Sequence, residues 1–349
     1  MQAWEKDLKF STGQVCLALV DLESLVASVH RRTALAMLLV GLLMFTMPHL
    51  SANAYAEEGQ VTIVFDMSHN QSFSPLKQNF TQAIDFFRNH TEYFIRIHTA
   101  GELSAQNLSR ARILVVANPT RNFSSTELQV VSNFVASGGA LFLLGDYQVT
   151  ERRIGNPAAL NQILETLPEN RIRFTTIRSA NQTQGDAVVD LAHNLTLPFN
   201  IRVDGTAITA ETRETIGLGV GEVLFAGGSL TTNWTDSVVS RAANTSQAVA
   251  INGDVIASQP AWLAAFGIGT ARIVLCTSTT MFSNTVCVGL NQTWFQSLDN
   301  RILWYNIFKW LSAPLILNPA PIMIAFVAIA FLVGLGLFGY SFRLRKRGR

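Results

Sequence analysis

The sequence predicts an α/β fold: an open, mostly parallel sheet with helices on both faces, to which a β-rich region and one C-terminal transmembrane helix are added. Three observations predict it. Between residues 61 and 144 short apolar runs alternate with amphipathic stretches, the pattern of successive strand–helix–strand units. From about 185 to 255 that alternation gives way to a Thr-, Gly- and Asn-rich stretch. Finally, no charged side chain occurs between Lys309 and Arg343.

The elements follow in order. The apolar run 61–65 ends at Asp66 and suits a strand buried on both faces. Leu76, Phe80, Ala83, Ile84 and Phe87 recur with helical period, predicting a helix over 76–89. Residues 93–97 read as a second strand, 103–108 as a short helix or turn, and 113–117 as a third strand ending in Asn118-Pro119. Ser124 stands three residues before Glu127, a capping box that opens a helix carrying Leu128, Val131, Phe134 and Val135 on one face. Gly138-Gly139 closes that helix, and 140–144 forms a fourth strand running into Gly145-Asp146-Tyr147. One more helix is expected over 156–167. Short β-like runs at 187–191, 223–226 and 248–251 predict an inserted or edge β-region. Residues 261–266 and 271–276, joined by Gly267-Ile268-Gly269, read as a hairpin. Asp299-Asn300 is expected to cap a last helix over 301–311.

Composition sets the organisation of the chain. Of 349 residues 48% are hydrophobic and only 14% charged, which excludes disorder and favours a membrane segment. Residues 320–340 are 21 in number and long enough, at about 1.5 Å per residue, to cross the hydrocarbon core of a bilayer. The basic tail 341–349 then lies in the cytoplasm, and 313–319 is a short linker. Arg31-Arg32, the apolar run 33–47 and the small residues Ala52, Ala54 and Ala56 make 31–56 a signal peptide or, alternatively, an uncleaved signal anchor. Residues 1–30 are a leader of doubtful status. Residues 57–312 would then form an extracytoplasmic domain. The net charge is +2, but the tail carries five basic groups and residues 1–50 balance four against four, so 51–342 carries −3. That disfavours nucleic acid as a partner.

Ten N-x-[ST] acceptors lie between the two apolar segments: Asn70, Asn79, Asn89, Asn107, Asn122, Asn181, Asn194, Asn233, Asn244 and Asn291. With 22 Asn and 53 Ser plus Thr in 349 positions, chance would give about three, so the excess predicts a glycosylated exterior. Cys276 and Cys287 are the cysteine pair of this exterior, and an oxidising compartment predicts a disulfide between them.

Three stretches carry a family resemblance. Phe65-Asp66-Met67-Ser68-His69-Asn70, the strand end Val115-Val116-Ala117-Asn118-Pro119, and Ser124 to Glu127 followed by Phe134-Val135 and Gly138 to Leu144 resemble the GIFT domain. That domain is shared by gliding-motility transporter accessories and an intraflagellar-transport protein, and is similar to the class I glutamine-amidotransferase fold, a flavodoxin-like arrangement. The closing residues Gly267 to Leu275, Phe282-Ser283-Asn284, Asp299 to Leu303 and Trp310-Leu311 resemble membrane-anchored prokaryotic relatives of unknown function.

Ligands of an open parallel sheet meet the protein beyond the strands' carboxyl ends. Asp66, Ser68, His69, Asn118, Asp146 and Tyr147 all fall at such ends and are the candidate ligand-binding residues. The competing reading is that the two aspartates cap turns and His69 bonds loop carbonyls. Ser68 and His69, if extended, would point to opposite faces and form no Ser–His bond. No Cys stands on a glycine-flanked elbow, no His/Cys spacing suits a metal, and no cofactor is implied. The Gly334-Leu-Gly336-Leu-Phe-Gly339 pattern lies inside the apolar span, where small residues serve helix packing. The expected function is a membrane-anchored binding or interaction domain for a glycan or peptide, accessory to a transporter or surface complex. A divergent hydrolase acting on a surface glycan or peptide and a structural cell-envelope component are the alternatives.

Overall fold

The computed structural model of the chain describes residues 60–74, 77–147, 156–168, 172–178 and 183–313. The leader, the signal segment, all of the linker beyond Ala313, the span 320–340, the basic tail and Asn181 lie outside the described residues. Among the described residues no helix is long and apolar enough to cross a membrane.

The first half of the domain follows the predicted alternation. Strand β1 (Val61–Asp66) leads to helix α1 (Thr81–Arg88), β2 (Tyr93–His98), β3 (Ile113–Ala117), α2 (Ser125–Ala136), β4 (Ala140–Leu144) and α3 (Pro157–Glu165). Helix α1 starts later than its apolar period suggests, because Gln78 at φ 58° sits in a conformation that no right-handed helix admits. Residues 105–110 form turns and no helix. The capping box of α2 forms in full.

The second half is richer in strands. It contributes β5 (Ile172–Phe174), β6 (Ile177–Arg178), β7 (Thr183–Gln184), β8 (Ala187–Val189), β9 (Ile201–Asp204), the short α4 (Ala210–Arg213), β10 (Glu222–Phe225), β11 (Leu230–Thr232), β12 (Val238–Arg241), β13 (Gln247–Val249) and β14 (Val255–Ser258). The long hairpin β15 (Ala261–Ile268) and β16 (Ala271–Cys276) follows, then β17 (Val286–Cys287), β18 (Gln292–Thr293) and the closing helix α5 (Asn300–Ser312).

One mixed sheet organises these elements, in the order β2-β1-β3-β4-β16-β15-β11-β5, with β12 also paired to β15. From β2 to β16 every neighbour is parallel; beyond β16 every pairing is antiparallel. The β-rich stretch is thus in part an extension of the main sheet. The rest of it forms separate small sheets, β9 with β10 and β8 with β13 and β14.

Alternation along the central strands sorts side chains onto two faces. Ile63, Phe65, Val115, Phe142 and Val274 point to the layer of α1 and α5, which supplies Phe87, Trp304, Ile307 and Phe308. Val64, Leu114, Val116, Leu141 and Leu275 point to α2 and α3, which supply Val131, Val135, Leu160 and Ile163. Trp304 is the hub of the first layer. Its ring lies 4.7 Å from Phe282 and Phe308 and 5.8 Å from Phe80, and its Nε1 donates to Ala83 O at 3.0 Å.

Asp299 and Asn300 do not cap α5 as expected. Asp299 Oδ2 accepts the backbone N–H groups of Gly221 (2.8 Å) and Glu222 (3.1 Å). Asn300, fully buried, exchanges bonds with Leu224 as a neighbouring strand would, accepting from its N at 3.0 Å and donating to its O at 2.9 Å. A short polar side chain at the head of α5 thereby satisfies the edge of β10, where an unpaired buried amide would cost about 1–3 kcal/mol.

Candidate functional site

Asp66 ends β1 with no exposed surface. The chain turns at Ser68 and His69, and this turn folds both side chains back onto the Asp66 carboxylate. Oδ1 accepts Ser68 N (3.1 Å) and Ser68 Oγ (2.7 Å), while Oδ2 lies 2.7 Å from His69 Nδ1 and accepts Gln71 Nε2 at 3.3 Å. Ser68 Oγ does approach His69 Nδ1, at 3.1 Å, against the expectation of opposite faces. The reason is that strand alternation stops at Asp66, where the turn begins. Both groups nevertheless give their hydrogens to the shared aspartate.

The other ring nitrogen of His69 meets Glu127 Oε1 at 3.2 Å, and Phe123 stacks on the imidazole at 3.8 Å between ring centroids. Burial alone would lower the His69 pKa. The hydrogen bond and charge of Asp66, joined by those of Glu127, outweigh it and raise the pKa above its ordinary value. Burial likewise works to raise the Glu127 pKa, but the bonds from Leu103 N and Ser124 N and the charge of His69 hold it below the ordinary range. Glu127 is the capping-box residue of α2, so the His69 ring, held between two carboxylates, ties the end of β1 to the start of that helix. Glu127 was legible in the sequence only as a helix cap.

The chain steps from β1 to β2 on one side and to β3 on the other, so the crevice of a doubly wound sheet would open between the ends of β1 and β3. Here the chain's own segment fills it. Ser72 N donates to Asn118 O (3.4 Å), Thr120 N and Arg121 N donate to His69 O (3.1 and 3.3 Å), and Gln71 Nε2 donates to Asp66 O (2.8 Å). Asn118, 1% exposed, takes a left-handed φ of 51° that an asparagine tolerates, and its N donates to Leu144 O at the end of β4.

Asp146 and Tyr147 do not join this cluster. They follow β4, two strands away from β1, which is about 10 Å at the usual strand spacing. Asp146 instead holds the turn after β16. Oδ2 accepts Thr280 N (3.0 Å) and Thr280 Oγ1 (2.9 Å), and Oδ1 accepts Tyr147 N (2.9 Å). Burial pushes its pKa up to about 7 while these bonds pull it down. Tyr147 stacks on Phe199 with centroids 5.5 Å apart, and burial raises its phenol to about 12. The six candidates therefore fall into two separate groups, of which the second, Asp146 and Tyr147, is half-buried.

Cys276 and Cys287 are buried free thiols and not the expected bridge. Cys276 points from the centre of the sheet toward Met281 Sδ (3.8 Å) and Ser278 O (3.6 Å), whereas Cys287 faces Val288 O (3.6 Å). Burial pushes the Cys276 thiol up to about 12, away from nucleophilic use. Of the acceptor asparagines, Asn70, Asn89, Asn122, Asn233, Asn244 and Asn291 are exposed; Asn79, Asn107 and Asn194 are half-buried. Among the described residues no group of His, Cys, Asp and Glu is arranged to hold a metal ion.

This architecture defines the class: residues 62–166 match the family described as the IFT52 GIFT domain, and the chain carries a GIFT-like domain. The mmIFT52 N-terminal domain superposes with a TM-score of 0.54 at 18% identity, covering 72% of this chain and 97% of that one, so the shared fold runs well beyond the matched segment. A thuA-like protein from Parabacteroides merdae (9% identity, TM-score 0.41, 73% of this chain and 90% of that chain) and the exo-β-1,4-mannosidase Op5Man5 from Opitutaceae bacterium strain TAV5 (9%, 0.37, 73% and 36%) are more distant. No curated protein matches the sequence.

Proposed function

We propose that this chain is a membrane-anchored, glycosylated extracytoplasmic interaction domain whose GIFT-like body acts as a rigid scaffold, accessory to a transporter or surface complex. The observation that carries this reading is the filled crevice: Asp66, His69 and Glu127 bond to one another and to backbone at the place where a ligand of such a sheet would sit. Groups consumed in this way hold the fold and leave recognition to the exposed surface. The apolar run 320–340 and the basic tail support the anchor, and the sequon excess supports the exterior location.

The test uses the full chain purified from its membrane. Cross-linking in intact membranes should retain defined membrane-protein neighbours, and His69→Ala should alter stability without abolishing any amidase, esterase or glycosidase turnover. Hydrolysis by the wild type that His69→Ala removes would instead establish the hydrolase reading. Full release of the chain from membranes by alkaline carbonate would end the anchored one.

A further inference from the structure

The described chain begins and ends on one edge of the sheet. Gln60 precedes β1, whose first residue pairs with Tyr93, the first of β2. Arg112, at the head of β3, donates from its N to Thr62 O (2.8 Å) and from Nη1 to Gly138 O (2.6 Å), just before β4. Helix α5 runs back across the sheet and delivers Ala313 to the same edge, where its carbonyl accepts Arg112 Nη2 at 3.3 Å. Arg272, at the head of β16, donates to Trp310 O and lies 4.8 Å from the Trp310 ring centroid. The exposed β15–β16 turn reaches this edge too, since a Cβ on Gly138 would stand 2.7 Å from Thr270 Oγ1.

We propose that this edge, where the parallel strands begin, docks on a lipid surface, so that Asp66, Asn118 and Asp146 face away from the membrane. The proposal rests on the anchored reading above. Six residues, 314–319, separate Ala313 from the apolar run 320–340. Fully extended they span at most about 20 Å. A five-residue strand is already about 17 Å tall before its loops are added, so a domain turned the other way up would exhaust the tether along its own flank. The chemistry of the edge agrees. Arg110 and Lys309 are exposed cations and Trp310 is a half-buried amphipathic ring, side chains that suit the headgroup layer of an anionic membrane. Glu92 also lies on this edge, 3.4 Å from His90 Nδ1.

The experiment reconstitutes the full chain into phosphatidylcholine–phosphatidylglycerol vesicles that carry a headgroup quencher. A fluorophore is attached to a cysteine placed either at the proposed contact, Thr270→Cys, or beyond the strand ends, Asn122→Cys, both in a Cys16→Ser background. Flotation with the vesicles and quenching at Thr270→Cys several-fold above Asn122→Cys are expected. Flotation with equal or reversed quenching would overturn the docking proposal and leave the anchor standing. A chain that does not float would overturn the anchor, and the proposal with it.

Discussion

Replacing Asp66 by Asn tests whether the strand-end cluster is a structural tie. Each carboxylate oxygen accepts from two donors, Ser68 N and Oγ on one side, His69 Nδ1 and Gln71 Nε2 on the other. Whichever way the asparagine is turned, its NH2 meets donors, and the His69 ring loses one of its two carboxylate partners in a site with no exposed surface at Asp66. Removing one partner of a buried charge pair costs about 3–5 kcal/mol. For a domain of this size that lowers Tm by roughly 6–20 °C, at about 2–4 °C per kcal/mol. Thermal and urea unfolding followed by circular dichroism would measure it, and pH adds a second readout. Because the folded His69 pKa is raised, its contribution is complete below the unfolded value of about 6.5 and is lost as pH rises through the folded value. The deficit of Asp66→Asn should therefore be larger at pH 6 than at alkaline pH. Unchanged Tm together with lost binding or turnover would refute the reasoning and return Asp66 to the role of a ligand-contacting residue.

Three further outcomes follow from the packing. Trp304→Ala should cost about 3–5 kcal/mol in urea unfolding, because it empties the aromatic hub; Trp304→Phe should recover most of that and lose only the indole N–H bond to Ala83 O. Gly227→Ala should abolish soluble folded protein, since a Cβ there would stand 2.3 Å from the backbone oxygen of Thr277, which has no rotamer to move; size-exclusion chromatography decides. In glycopeptide mass spectrometry Asn79 and Asn194 should be bare, because their amide nitrogens donate to Ser72 O and to Asp190 O and Leu191 O, whereas exposed Asn233, Asn244 and Asn291 should carry any glycan present.

The parallel half of the fold was legible because it obeys local rules. Apolar runs of five or six residues, a complete capping box and a Gly-Gly stop each specify an element without help from distant residues. The extension β11, β12 and β5 was not, because strands of three or four residues such as Leu230–Thr232 gain their pairing from partners far along the chain. The cysteines show the same limit. Their compartment was inferred, but whether two thiols meet depends on where β16 and β17 end, and Cys276 projects into the core toward Met281.

The candidate site illustrates why residue type at a strand end is weak evidence for chemistry. An aspartate, a serine and a histidine within four residues resemble reactive machinery, and the structure does bring them into mutual contact. What decides their role is the fourth partner. Had the second ring nitrogen of His69 faced a cleft, the Asp66–His69 pair would leave a base free to act on a substrate. It faces Glu127 instead, whose carboxylate also accepts Leu103 N and Ser124 N, so both ring nitrogens meet carboxylates and the ring stacks against Phe123. The same logic governs Asn284, whose Oδ1 accepts Gln82 N and whose Nδ2 donates to Gln78 O and Thr81 Oγ1, fastening the closing stretch to the head of α1. Asp66, His69, Glu127 and Asn284 thus each bond across from one element of the fold to another.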